Sequence, residues 1–303
     1  MASHKKRASI DLGTNTCLLL VKEDSPELII HDESNVVRLG QGVDQNKKLN
    51  PEAMERTFQC LKQYASVVRT FGMEPSEVLA VGTAQARDAS NAADFFKRIE
   101  NEIGFHFSVL SGDEEAQATF VGAALPGMNA DQIVVMDIGG GSTEIVQSTG
   151  GKSLNIGAVR MTERFLKSDP VTDDEFWKCE SAIDEALQEM KSRISSSHTF
   201  VAVAGTAVTL AMLQLELKEF DRSKIDGFIL TRGDAHRIVE ELKWRSVEER
   251  KAMLGMEPKR ADVILAGALI FWRAMEVLGF QEAVISTRGL RYGVLKTGLN
   301  RQI

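Results

Sequence analysis

Two short strings recur in the same order along the chain, and that recurrence restricts the fold more than any single segment does. Asp-x-Gly-x-x-Thr/Ser occurs at residues 11–16 and again at residues 137–142, an offset of 126 residues. An apolar strand ending in Gly-Thr-Ala occurs at residues 82–84 and at residues 205–207, an offset of 123. Within each half the two strings stand 71 and 68 residues apart, with a long helical pattern between them. One match would carry little weight; two in register predict a pair of similar α/β domains. The chain length, 303 residues, leaves each half enough sequence to bury its own core.

The elements around the strings follow one order. Residues 9–11 and 17–21 read as strand, turn, strand, with a second hairpin near Ser25-Pro26 and a short strand near Val36-Val37. Met54, Phe58, Leu61, Ala65 and Val68 recur with a helical period behind Asn50-Pro51, a cap and first-turn pair. A buried strand at 78–81, a helix with Phe95 and Ile99, a strand at 106–110 and a helix over 113–124 complete the first half. Pro126-Gly127 breaks the pattern, so the expected domains are 1–126 and 127–303, with packing of the last helix back on the first domain left open. The second half restarts with strands at 133–137 and 144–146. Helices near 173–194, 206–216, 233–243, 260–278 and from 290 follow, with strands at 200–204 and 282–285.

An acidic residue at a strand end, followed by small residues turning into the next strand, suits phosphate and a hard cation. Glycines let the backbone approach an anion, and successive N–H groups make an anion-binding nest. The candidates are Gly13, Thr14, Asn15 and Thr16 in the first loop, and Gly139, Gly140, Gly141, Ser142 and Thr143 in the second. A carboxylate beside phosphate is repulsive unless it holds a cation or a bridging water, which suits Mg²⁺ and its use of one or two carboxylates. Asp11, Asp137 and Glu144 are the candidate ligands. A lone copy of the string is satisfied by a plain hairpin; the repetition favours phosphate.

Composition narrows the partners. Lys plus Arg number 36 against 43 Asp plus Glu, a formal charge of −7, and no extended basic patch appears, which argues against nucleic acid. The three cysteines have no paired spacing and the five histidines are scattered, so a disulfide framework and a zinc site lack support. The longest apolar run, residues 263–272, is about half a membrane span and reads as a core helix. Asp11 interrupts the basic start before a signal-peptide core forms, so a cytoplasmic protein is expected.

The strings SIDLGTNTCLLLV, VGTAQAR, SGDEEA, VVMDIGGGSTEIV, VAGTAVTL and STRGLRYGVL together resemble the exopolyphosphatase/guanosine-pentaphosphatase phosphohydrolase family. That family belongs to the acetate-kinase, sugar-kinase, heat-shock-chaperone and actin superfamily. The resemblance runs from about residue 9 to residue 299 and matches the short, two-domain members. It implies two ribonuclease-H-like domains with mixed sheets flanked by helices, a ligand cleft between them, and a homodimer. It also implies hydrolysis of the terminal phosphate of inorganic polyphosphate or of guanosine pentaphosphate, with Glu115 of the Asp113-Glu114-Glu115 run as general base. Arg87 matches the family's GTxxxR as a phosphate ligand, and Asp137 and Glu144 as metal ligands, with Asp11 acting through water. Gly205 and Thr206 stand where sugar kinases of the superfamily grip adenosine; a strand-to-helix turn explains them equally well. Arg38, Arg160 and Arg291 are further candidates along the substrate path. Tyr292 departs from the family's GLREG, where an acidic residue stands. An ATP-dependent kinase and a non-catalytic polyphosphate or nucleotide sensor are the competing classes.

Overall fold

The computed structural model describes residues 5–24 and 27–299, and the chain divides into two compact units: Met1–Gly122 with Leu290–Ile303, and Ala123–Gly289. The expected break after Pro126 falls a few residues inside the second unit, where Ser286 Oγ donates to the Ala123 carbonyl at 2.9 Å. The closing helix joins the first unit, the alternative the domain expectation left open.

In the first unit the strands are β1 (Lys6–Leu12), β2 (Thr16–Asp24), β3 (Glu27–Val36), β4 (Leu79–Gly82) and β5 (Phe107–Val109). They form one sheet in the order β3-β2-β1-β4-β5, with β1 antiparallel to β2 and parallel to β4. The short strand expected near residue 36 is the end of β3, and the Ser25-Pro26 turn lies outside the described residues. The helices are α1 (Val43–Asn46), α2 (Pro51–Thr70), α3 (Ala84–Asp88), α4 (Ala92–Ile103) and α5 (Gly112–Ala123). α2 begins as its sequence predicts, with the Asn50 side chain accepting from the Glu52 N–H at 2.8 Å. Its buried stripe of Phe58, Leu61, Tyr64 and Val68 joins Phe95 and Ile99 of α4 and Ile10, Leu12 and Leu19 of the sheet in one core.

The second unit carries β6 (Ile133–Ile138), β7 (Thr143–Gln147), β8 (Gly150–Leu154), β9 (Thr199–Val203), β10 (Ile229–Thr231) and β11 (Glu282–Ile285). Its sheet order, β10-β11-β9-β6-β7-β8, read from β8 runs third, second, first, fourth, sixth, fifth strand: the first four places repeat the first unit, β11 takes the place of that unit's fifth strand, and β10 is added at the far edge. The helices are α6 (Ala158–Phe165), α7 (Asp173–Lys191), α8 (Ala204–Gln214), α9 (Arg222–Ile225), α10 (Arg232–Lys243), α11 (Val247–Lys251) and α12 (Ile264–Leu278). α12 is apolar on nearly every face and fills the core of this unit, as an all-round hydrophobic helix must. The final helix, α13 (Leu290–Thr297), packs Leu290 and Val294 against Val81, Leu110 and Ala118 of the first unit.

The short helices α1, α3, α9 and α11 escape the sequence reading, and so do β8, β10 and α6. β8 is an edge strand beginning Gly-Gly-Lys-Ser, with no apolar alternation; β10 is three residues long; α6 is two turns. The two strands owe their form to their neighbours rather than to their own periodicity. Among the described residues no helix is long and apolar enough to cross a membrane. Cys17, Cys60 and Cys179 are buried and unbridged.

Candidate functional site

In the first unit β1 ends at Asp11-Leu12 and turns at residues 13–15 into β2. The Gly13 N–H donates to the Thr16 carbonyl at 2.8 Å, closing the turn. Gln85 of α3 braces it: Gln85 Nε2 donates to the Leu12 carbonyl at 2.6 Å, and the Thr14 and Thr83 hydroxyls donate to Gln85 Oε1. Thr14 thus gives its hydroxyl proton to the protein framework, a role its sequence position does not reveal. Both Thr14 and Asn15 are buried. Asp11 is half-buried, and loss of hydration pushes its carboxyl up to about 6, with the Arg291 charge opposing. Arg291 grips Asp32 through Nε and Nη2 at 3.0 and 3.1 Å, and the Tyr292 hydroxyl donates to the same carboxylate at 3.1 Å. These contacts tie α13 to β3 and assign Arg291 and Tyr292 a structural task.

The acidic run at the start of α5 divides by direction. Glu114 stays exposed and accepts the Ser111 N–H and hydroxyl, both at 2.8 Å; these bonds hold its carboxyl below the usual range. Glu115, one helical step on, is only 8% exposed. Arg87, at the end of α3, donates Nη1 to Glu115 Oε2 at 2.7 Å and to the Leu110 carbonyl at 2.8 Å. The two residues singled out as base and phosphate ligand therefore form one ion pair, with the Arg87 side chain a quarter exposed (25%).

In the second unit β6 ends at Asp137-Ile138, and the Gly139 N–H donates to the Ser142 carbonyl at 3.0 Å, the counterpart of the Gly13–Thr16 bond. Asp137 and Glu144 are direct cross-strand partners on β6 and β7, so both carboxylates issue from the same sheet face. Glu144 is 1% exposed and accepts from Ser153 Oγ on β8. In the first unit the partner of Asp11 is Leu18, so the second carboxylate is not duplicated. Two neighbouring carboxylates fit a hard cation that keeps several waters and completes its shell with phosphate oxygens. Among the described residues no three His, Cys, Asp or Glu side chains gather into a cage of their own.

Other predicted ligands hold the framework. Thr143 Oγ1 donates to the Ile156 carbonyl at 2.6 Å, and Thr206 Oγ1 to the Ile138 carbonyl at 3.3 Å. Thr206 thereby braces the residue after Asp137 as Gln85 braces the residue after Asp11. Gly205 follows Ala204, whose φ of 66° turns the strand sharply into α8. Arg260, absent from the sequence reading, lies against Gly205: a Cβ there would stand 2.2 Å from its Nη1. Arg160, a candidate for the substrate path, lies with residues 157–159 against the glycine loop; those three residues escaped the sequence reading. Gly139 and Gly140 carbonyls accept the N–H groups of Ala158, Val159 and Arg160 at 2.9–3.0 Å, and Arg160 Nε donates to the Gly141 carbonyl at 2.6 Å.

Two units, each a mixed sheet flanked by helices with an acidic strand end and a tight small-residue turn, define a two-unit α/β protein of the fold seen in solved Ppx/GppA family members. Residues 20–302 match the Ppx/GppA phosphatase family, and the chain belongs to it. Exopolyphosphatase 2 of Mycobacterium tuberculosis is 34% identical over 281 residues, covering 87% of this chain and 88% of that protein. The bifunctional 3-dehydroquinate synthase/phosphatase of Fusobacterium nucleatum is 31% identical across 98% of this chain; the chain spans about half of that longer relative, 47%. Among solved structures, an Aquifex aeolicus Ppx/GppA family member superposes with a TM-score of 0.81 at 32% identity, covering 98% of each chain. An exopolyphosphatase from Cytophaga hutchinsonii superposes with a TM-score of 0.88 at 28% identity, covering 97% of this chain and 98% of that one.

Proposed function

We propose that this chain is an exopolyphosphatase, a phosphoric-anhydride hydrolase that releases terminal orthophosphate from inorganic polyphosphate by attack of water. The observation that carries the reading is the Arg87–Glu115 pair, which sets a buried carboxylate against a guanidinium in the same unit as the first loop. Glu115 takes a proton from the attacking water as its oxygen bonds to the terminal phosphorus. The bridging P–O bond breaks, and the shortened chain leaves with its electron pair. Arg87 uses Nη1 on Glu115 and Leu110, so its other guanidinium N–H groups are the ones that meet phosphoryl oxygens. The backbone N–H groups of the two loops bind phosphate oxygens, and the hydroxyls of Thr14, Thr143 and Thr206 hold the loops in shape. Asp137 and Glu144 would hold Mg²⁺. When bound, the ion neutralises charge on the phosphates as the bridging bond breaks.

The family's second substrate, guanosine pentaphosphate, presents the same terminal phosphoryl group. Phosphate release from both substrates, with Mg²⁺ and with EDTA, tests the proposal. Faster release from polyphosphate, abolished in Glu115→Gln with substrate binding retained, is expected. Preference for the pentaphosphate would reassign the substrate; release from neither would end the hydrolase reading. An acceptor-dependent ADP signal would point to a kinase instead. A cytoplasmic homodimer completes the reading, and light scattering with cell fractionation checks it.

A further inference from the structure

We infer that Arg160 is the positioning residue of the second glycine loop, acting with the first turn of α6 by taking up the loop's carbonyls. The inference rests on the proposed reading of residues 139–142 as a phosphate site. The Gly139 carbonyl accepts from Ala158 N–H at 2.9 Å, and the Gly140 carbonyl from Val159 and Arg160 N–H at 2.9 and 3.0 Å. The Gly141 carbonyl accepts from Arg160 Nε at 2.6 Å. Three consecutive carbonyls therefore turn toward α6. In a planar trans peptide the carbonyl of one residue and the N–H of the next point to opposite sides. The N–H groups of Gly140, Gly141 and Ser142 thus turn away from α6 together, and successive N–H groups facing one way make an anion nest.

Gly157 permits this close seating, since a Cβ there would lie 2.5 Å from the Gly140 carbonyl oxygen and 2.6 Å from the Gly141 carbonyl carbon. Arg160 is 7% exposed, so its planar guanidinium is held by packing as well as by the Gly141 bond. The first unit repeats the device from the main chain. The Thr14 carbonyl accepts from Gly40 N–H at 2.9 Å, and the Asn15 carbonyl from Val37 and Arg38 N–H, both at 2.9 Å. Arg38 precedes Arg160 by 122 residues, in step with the two repeated strings. The duplication thus extends to an arginine whose own N–H caps each loop. In the second unit the Arg160 side chain adds a bond to a third carbonyl.

The test uses the full chain with tripolyphosphate as probe, read by calorimetry and by the amide signals of Gly140 and Gly141, alongside KM and kcat on polyphosphate. In the wild type, tripolyphosphate is expected to shift both amide signals. Arg160→Gln should weaken its binding by about tenfold to a hundredfold, the size of a lost charge-assisted hydrogen bond. KM should rise in step while kcat changes less, and Arg160→Lys should recover part of the loss. Wild-type amides that ignore tripolyphosphate would overturn the phosphate reading, and this inference with it. Amides that respond, with Arg160→Gln binding as tightly as wild type, would overturn the inference alone. If Arg160→Gln does not fold, Arg160→Lys decides: unchanged affinity and KM overturn the inference, and a rise in both supports it.

Discussion

Replacing Gly293 with alanine should disturb both the stability of the first unit and the placement of Glu115. A Cβ at residue 293 would stand 1.7 Å from the Ala118 carbonyl oxygen, 2.5 Å from its carbonyl carbon and 3.1 Å from its Cα. Carbon atoms in ordinary contact keep about 3.5 Å. α13 and α5 would have to part by roughly 1.5 Å, because the obstacle is backbone and cannot rotate away. Overpacking of this kind costs about 1–3 kcal/mol. At about 2–4 °C per kcal/mol for a unit of this size, melting should fall by roughly 2–12 °C. Ala118 lies one helical turn beyond Glu115, so the displacement passes directly to the carboxylate and its bond to Arg87. Misplacement of a catalytic group by about 1 Å costs on the order of a hundredfold in rate. Calorimetry and phosphate release on the same preparation measure both effects. Gly233→Ala is the control, because the added Cβ meets only Thr231 Oγ1 at 3.7 Å, within a helix that alanine favours. A Gly293→Ala protein with wild-type melting and turnover would refute the claim that α13 sets the position of α5.

Three further outcomes follow from the same geometry. Asp11 titrates near 6 in the folded state against 3.8 in the unfolded chain, so the folded state binds its proton more tightly. Its contribution is full below about pH 4 and is lost as pH rises through 6. Asp11→Asn should therefore flatten that part of the stability profile and gain up to about 3 kcal/mol at pH 8, measured by urea unfolding without metal; an unchanged profile would refute the burial argument. Arg87→Ala should cost about 1–3 kcal/mol, less than a fully buried pair because the guanidinium is 25% exposed, together with most of the turnover. A double-mutant cycle with Glu115→Gln should return a coupling above about 1 kcal/mol, and additive losses would count against the pair. Tyr292→Phe should cost about 1–2 kcal/mol for its bond to Asp32, and Tyr292→Glu more, since a second carboxylate would then face Asp32; equal unfolding midpoints for both variants would contradict this.

Much of the molecule was legible before any tertiary contact was considered. The apolar run of β6, the stripe of α2 and the continuous apolar run of α12 each mark what is buried, because burial is written into local sequence pattern. The separation of Glu114 from Glu115 was legible for the same reason, as consecutive helical residues diverge by about 100°. The site was readable only by residue type. Threonines expected at phosphate turn their hydroxyls to Gln85, to Ile156 and to Ile138, across 71, 13 and 68 residues of sequence. Arg291, read as a ligand, serves Asp32 from 259 residues away.

The sequence by itself determined that there are two loops of one design, in two similar α/β halves, because spacing and composition repeat. It also contained the departure at Tyr292 without its reason. Only the tertiary structure decided which way the loop carbonyls turn, that Arg87 and Glu115 are partners, and that α13 returns to the first unit to hold α5. A hydrogen bond depends on the direction of a donor arriving from a distant segment, and no local pattern encodes that direction.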